Sequence, residues 1–181
     1  MMKSKSLVGL FARIVFLWVC SSCESYRARR LSRCAIALPD SLEFIYSGEA
    51  TVRHLDMSLP PDYKQVILVD SFECSFCRVQ KLQRYRDLFE EAIEGRKFDL
   101  MVILSPKREE ASSLREFLLA HDFSLPVYLD PEHLFLDMNP SIPSDARFHS
   151  FLMDSSGHPV YVGDPLKGNR AYKQFEKLID R

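Results

Sequence analysis

An α/β domain with one central mixed sheet flanked by helices is what this sequence predicts, and three observations predict it. The run Gln65-Val66-Ile67-Leu68-Val69 and the run 98–104 are continuous and largely aliphatic, as strands buried on both faces must be. Each is followed by apolar residues at helical spacing, and strands alternating with helices imply a parallel half-sheet joined by right-handed crossovers. Asp154-Ser155-Ser156-Gly157 then separates two further apolar runs, a hairpin signal that supplies an antiparallel half.

From the N-terminus, Lys3, Lys5 and Arg13 precede the short apolar stretch 14–20, which falls well below the ~20 apolar residues a membrane-spanning helix needs. A basic start, an apolar middle and small residues after it read as a secretory signal over 1–23. Ser21-Ser22-Cys23 resembles a lipobox, with cleavage before Cys23 and acylation of its thiol. A plain secretory peptide or an uncleaved anchor is the alternative. The location expected is the periplasmic face of a bacterial cell envelope, an oxidising setting in which disulfides persist. Residues 24–39, with Arg27, Arg29, Arg30 and Arg33, read as a basic tether, and 40–181 as the domain.

Within the domain, 42–46 is a short strand stopped by Ser47-Gly48, and 51–55 is its partner. Pro60-Pro61-Asp62 is a turn. Strand 65–70 leads into a helix over 75–94 with apolar Val79, Leu82, Tyr85, Leu88 and Phe89, a solvated basic face and Gly95 at its end. Strand 98–104 is broken by Ser105-Pro106. A second amphipathic helix runs from Glu109 to His121 through Leu114, Phe117 and Leu118. A strand over 126–130, a brief helix over 131–138, the hairpin strands 147–153 and 159–162 and a helix over 170–180 capped by Asn169 complete the order.

Composition fits one globular domain of roughly 155 residues once the signal is removed. Hydrophobic residues make up 46% of the chain, enough for a core, and the net charge of −1 gives no electrostatic case for nucleic acid. Of five cysteines, Cys20 falls in the signal and Cys23 would carry lipid. Cys34 is odd, a passive residue or else a free thiol or an intermolecular partner, and Cys74 and Cys77 form a CxxC pair. Two thiols two residues apart at a helix start can close a small disulfide, and the positive end of the helix dipole favours thiolate at the first. Dithiol–disulfide redox chemistry is the leading reading, with an inert bridge and half of a metal site as alternatives. Zinc needs about four ligands, and no second CxxC follows. His54, His121, His133, His149 and His158 are scattered singly and read as surface or loop residues.

The strand–Cys74-Ser75-Phe76-Cys77–helix junction resembles that of thioredoxins. Phe151-Leu152-Met153-Asp154-Ser155-Ser156-Gly157-His158-Pro159-Val160 resembles the hairpin of the membrane-anchored, TlpA-like thioredoxins. Gly163-Asp164-Pro165 before the last helix fits thioredoxin-like lipoproteins of bacterial cell envelopes. The resemblance spans about residues 40–180 and implies a thioredoxin-like fold. It implies a thiol–disulfide oxidoreductase with Cys74 as nucleophile and Cys77 as resolving thiol, their potential tuned by Ser75 and Phe76. No bound cofactor is implied, because the dithiol carries the electrons. The implied partners are protein thiols and disulfides, an electron-transfer partner, and the membrane through the lipid anchor.

The chain departs from the family at three places. Glu73 replaces the tryptophan before the first cysteine, and a carboxylate there disfavours the thiolate. Phe148 falls where the family has a cis-proline. Leu68 occupies the place of the buried acid, and Asp70, two residues on, is the substitute proton acceptor for Cys77 or a strand-end turn residue. Two other functions stand as alternatives, the first resting on these departures and the second on His149. One is a catalytically retired interaction module. The other is a copper-handling protein using both thiolates and His149. A peroxidase is a poorer fit, because Phe72-Glu73 does not supply the Pro/Thr pattern those enzymes place before a lone cysteine.

Overall fold

The structure is a computed structural model describing residues 26–58, 60–71, 75–95, 97–121, 123 and 125–180, with the backbone alone over 75–78. Residues 26–31 are helical (α1). The hairpin β1 (Ser41–Tyr46) and β2 (Glu49–His54) follows, then β3 (Tyr63–Val69), α2 (Ser75–Leu82), a 3-10 turn at Gln83–Tyr85 and α3 (Arg86–Gly95). Next come β4 (Phe98–Leu104), α4 (Arg108–Ala120), β5 (Val127–Leu129), α5 (Leu134–Met138) and a 3-10 turn at Ala146–Phe148. Strands β6 (Ser150–Met153) and β7 (Pro159–Val162), a 3-10 turn at Pro165–Lys167 and α6 (Asn169–Ile179) end the chain. Among the described residues, no helix is long and apolar enough to cross a membrane.

The seven strands of the described residues form one sheet in the order β2-β1-β5-β4-β3-β6-β7. β3, β4 and β5 pair in parallel, while β1 with β5, β3 with β6, and both hairpins are antiparallel. This is the mixed sheet expected, with both strands read as doubly buried at its centre. β3 shows why the runs carry no polar alternation. Ile67 and Val69 pack on one face, Val66 and Leu68 on the other, and all four are buried.

Successive steps from β3 to β4 to β5 move the same way across the sheet, so right-handed crossovers put α2, α3 and α4 on one face. Val79, Leu82, Leu88, Leu114 and Leu118 cover that face with Phe175 of α6, whose ring meets Phe98 edge-on at 5.1 Å. The opposite face is covered by pieces: Leu31, Ile36, Phe135, Ile142 and Phe148. The segment read as a tether is therefore laid on the domain from Leu31 onward. Ile36 donates its N–H to Gly157 O at 2.8 Å. The Asn139 side chain accepts from Ala37 N–H and donates to Ala37 O and Phe135 O at 2.7–2.8 Å.

Four element expectations need correction. The helix over 75–94 is split by the 3-10 turn at 83–85. Leu82, Tyr85 and Leu88 are all buried three residues apart, a spacing that three residues per turn keeps on one side. The helix over 131–138 begins only at Leu134, where the buried Asp130 carboxylate accepts from the Leu134 and Phe135 N–H groups. The strand over 147–153 begins at Ser150, because Asp145 caps a 3-10 turn through the Arg147 N–H. Asn169 is the first residue of α6 and not its cap; Gly168 stands at that place without a side-chain bond.

Candidate active site

β3 ends at Val69 and α2 begins at Ser75, so Cys77 lies in the first turn of α2 and Lys81 follows one turn later. Cys74, Phe72, Glu73, the signal over 1–23 and Cys23 lie outside the described residues, as do the side chains of Ser75, Phe76 and Cys77. What the structure describes is the floor and flank of this junction.

The floor is polar and buried. Leu68 donates its N–H to His149 O at 2.8 Å, so the entry to β6 is held against the end of β3. Asp70 is 3% exposed and His149 likewise, with Asp70 Oδ2 3.6 Å from His149 Nδ1. His149 Nε2 lies 2.8 Å from Pro143 O, and a carbonyl only accepts, so this nitrogen carries its hydrogen. The Asp70 contact becomes an ion pair when the ring is protonated on both nitrogens. Asp70 is thus a buried partner of His149, not an open turn residue, and His149 is not a surface or loop-facing histidine. Both its ring nitrogens face oxygens, so offering either one to copper would break one of these contacts. Among the described residues no three His, Cys, Asp or Glu side chains converge as a metal site.

Phe148 is buried beside His149, and the cis peptide bond among the described residues is Pro60–Pro61, so the bond preceding Phe148 is trans. Cys34 is a half-buried free thiol whose Sγ donates to Arg30 O at 3.4 Å, one helical turn back.

A cleft of about 520 Å³ opens beside this floor. One wall is Lys81, Leu82, Arg84 and Tyr85, and the other is the 146–150 turn with the end of β7. Ser150 ties the second wall together and to β3. Its N–H···O partners include Gln65, whose Nε2 donates to Ser150 Oγ at 3.1 Å, and Ser150 Oγ donates to Gly163 O at 3.0 Å. Gly163 has φ +146, and a methyl group there would come 3.2 Å from the Tyr161 hydroxyl, so glycine keeps room for that ring. Burial pushes the Tyr161 phenol up. Arg84 pairs with Asp164 and donates to Tyr85 OH at 2.9 Å. Arg147 forks onto Asp145 at 2.6–3.1 Å. Its side-chain and backbone N–H groups hold that carboxyl down to about 2.

Sequence reasoning placed Asp70, Phe148 and His149 near the junction but missed the cleft. Lys81 and Arg84 belong to the face read as solvated, and only the fold, which pairs Arg84 with Asp164 beyond the end of β7, turns them into a wall. Gln65 carried a signal: it is the one polar residue in an apolar run, and it is fully buried.

No protein-family model matches this chain, and no curated protein matches it. Among solved structures it is similar to the exposed lipoprotein thioredoxin of Streptococcus pneumoniae strain TIGR4, with TM-score 0.52 and 18% identity over 76% of this chain and 98% of that one. It is also similar to a candidate thiol-disulfide oxidoreductase of Bacteroides vulgatus, with TM-score 0.51 and 18% identity over 79% of this chain and 95% of that one. These likenesses show a thioredoxin-like fold. At such identity they speak for the fold alone.

Proposed function

We propose that this protein is a cell-envelope thiol–disulfide oxidoreductase whose working groups are Cys74 and Cys77. The observation that carries the reading is the place of Cys77, in the first turn of the helix that follows the central strand of a thioredoxin-like sheet. The Cys74 thiolate attacks one sulfur of a substrate disulfide, forming a mixed disulfide and expelling the other sulfur as a thiolate that takes up a proton. The Cys77 thiolate then attacks Cys74 Sγ, closing the Cys74–Cys77 disulfide and releasing the second substrate sulfur. Two electrons and two protons pass from the dithiol to the substrate, and the reverse sequence oxidises a substrate dithiol. In this reading Asp70, which directly follows the central strand, accepts the Cys77 proton. Residues 1–23 serve as the export signal, and acylation at Cys23 holds the domain at the periplasmic face of the membrane.

Phe148 and Glu73, in the places of proline and tryptophan, favour a second reading, a thioredoxin-fold module that binds without turning over. The full chain in detergent, equilibrated in glutathione buffers and thiol-trapped, decides between them. A reversible couple between about −120 and −270 mV, with insulin reduction lost in Cys74→Ser, is expected of the enzyme. A disulfide below about −300 mV without turnover means a structural bridge and leaves the module.

A further inference from the structure

The cleft beside α2 differs in charge from the molecule around it. The chain as a whole carries a net charge of −1. Yet the cleft is lined by Lys81, Arg84, Arg147 and Lys167, with Asp164 as its carboxylate among the described residues. Arg84 is paired with Asp164 and Arg147 with Asp145. Lys81 and Lys167 are exposed and have no carboxylate partner among the described residues. Two cations with no carboxylate partner among the described residues thus flank a recess whose interior wall is Ile67, Leu82 and Tyr161.

Position gives this charge a use. Lys81 stands one turn beyond Cys77 on α2, so the recess begins where the dithiol helix ends. Its other margin is the end of β7, an outer strand of the sheet, and an edge backbone can hydrogen-bond an extended segment. Its volume falls within the about 300–1,000 Å³ typical of ligand clefts.

We propose that this cleft receives an extended, acidic segment of the substrate protein, with Glu or Asp side chains meeting Lys81 and Lys167 and the backbone running along β7. The proposal rests on the dithiol reading for its substrate, but the binding it describes can be measured without any redox step. Specificity of this kind is electrostatic, and it weakens as salt shortens the screening length to about 10 Å near 0.1 M.

The test uses the full chain in detergent and two sets of synthetic peptides. In the first set, a Glu-flanked, a Ser-flanked and a Lys-flanked peptide each carry one intramolecular disulfide. Exchange with the reduced chain is followed in a single turnover, each rate divided by that of dithiothreitol on the same peptide to remove differences in thiol acidity. The second set has serine at both cysteine positions and is titrated by fluorescence anisotropy. The Glu-flanked peptide is expected to react at least about five-fold faster than the Lys-flanked one at low ionic strength, a modest factor in keeping with exposed charge pairs. It should also bind more tightly, and both preferences should fall toward one in high salt and in K81Q/K167Q. Lys97, which lies across the molecule and pairs with Asp180, serves as control: K97Q should keep the ratios. Equal exchange and equal binding across the peptides overturn the proposal and leave the redox function standing. Preferential binding without exchange overturns the redox function and leaves the cleft as the recognition surface of a module. Neither exchange nor binding overturns both.

Discussion

Asn139 and Tyr172 show how single polar side chains hold distant segments together. Asn139, 3% exposed, satisfies both backbone groups of Ala37 and the Phe135 carbonyl at once. Asn139→Ala leaves three such groups without their partner, and each net bond is worth about 1 kcal/mol. A loss of about 2–4 kcal/mol in urea unfolding is expected, together with faster proteolysis between Arg33 and Leu38. Tyr172 on α6 donates to Glu91 on α3 at 2.7 Å, and this bond, with some burial, pushes its phenol up to about 12. The unfolded phenol titrates near 10. A group raised in the folded state contributes stability in full below the unfolded value and loses it as pH rises toward the folded one. Stability should therefore fall between about pH 10 and 12 more steeply in the native chain than in Tyr172→Phe, as measured by denaturant midpoints at each pH. Equal slopes would mean that the bond does not form in solution.

At the scale of elements, the turn between β6 and β7 does more than reverse the chain. Asp154 accepts from Ser156 and His158, fixing the hairpin, while Gly157 at φ +80 offers its carbonyl to Ile36. A Cβ on Gly157 would lie 2.8 Å from Ile36 O. Gly157→Ala thus combines an unfavourable φ with a backbone collision, and a loss of about 2 kcal/mol or more is expected by thermal unfolding. The hairpin was legible from Asp154-Ser155-Ser156-Gly157 because turn chemistry is local. That its glycine also receives the N-terminal segment was not, since Ile36 and Gly157 meet only after the sheet has formed. The 3-10 turn within the long helix was hidden for a related reason. Positions 79, 82, 85 and 89 fit the apolar side of a continuous helix, which masks the drift of Leu88 off that side, and the packing against β3 and β4 selects the tighter spacing.

Across the whole molecule, the sheet has one face covered by long helices and one covered by fragments. That asymmetry makes the N-terminal segment part of the core. Leu31 is fully buried, although its neighbours Arg29, Arg30 and Arg33 made the segment look like a solvated tether. Leu31→Ala is expected to cost about 2–5 kcal/mol in equilibrium unfolding, the range for a buried leucine, whereas a residue in a free tether would cost nothing measurable. The sequence by itself determined the strand–helix alternation, the hairpin and the position of the CxxC pair after the central strand. Those follow from hydrophobic period, turn residues and spacing, which are properties of neighbours along the chain. The tertiary structure alone decided the docking of 31–39 on the open face, the burial of Asp70 against His149 and the basic cleft between α2 and β7. Each of these joins residues tens of positions apart, and which groups they bury or leave facing one another is settled only when the sheet closes.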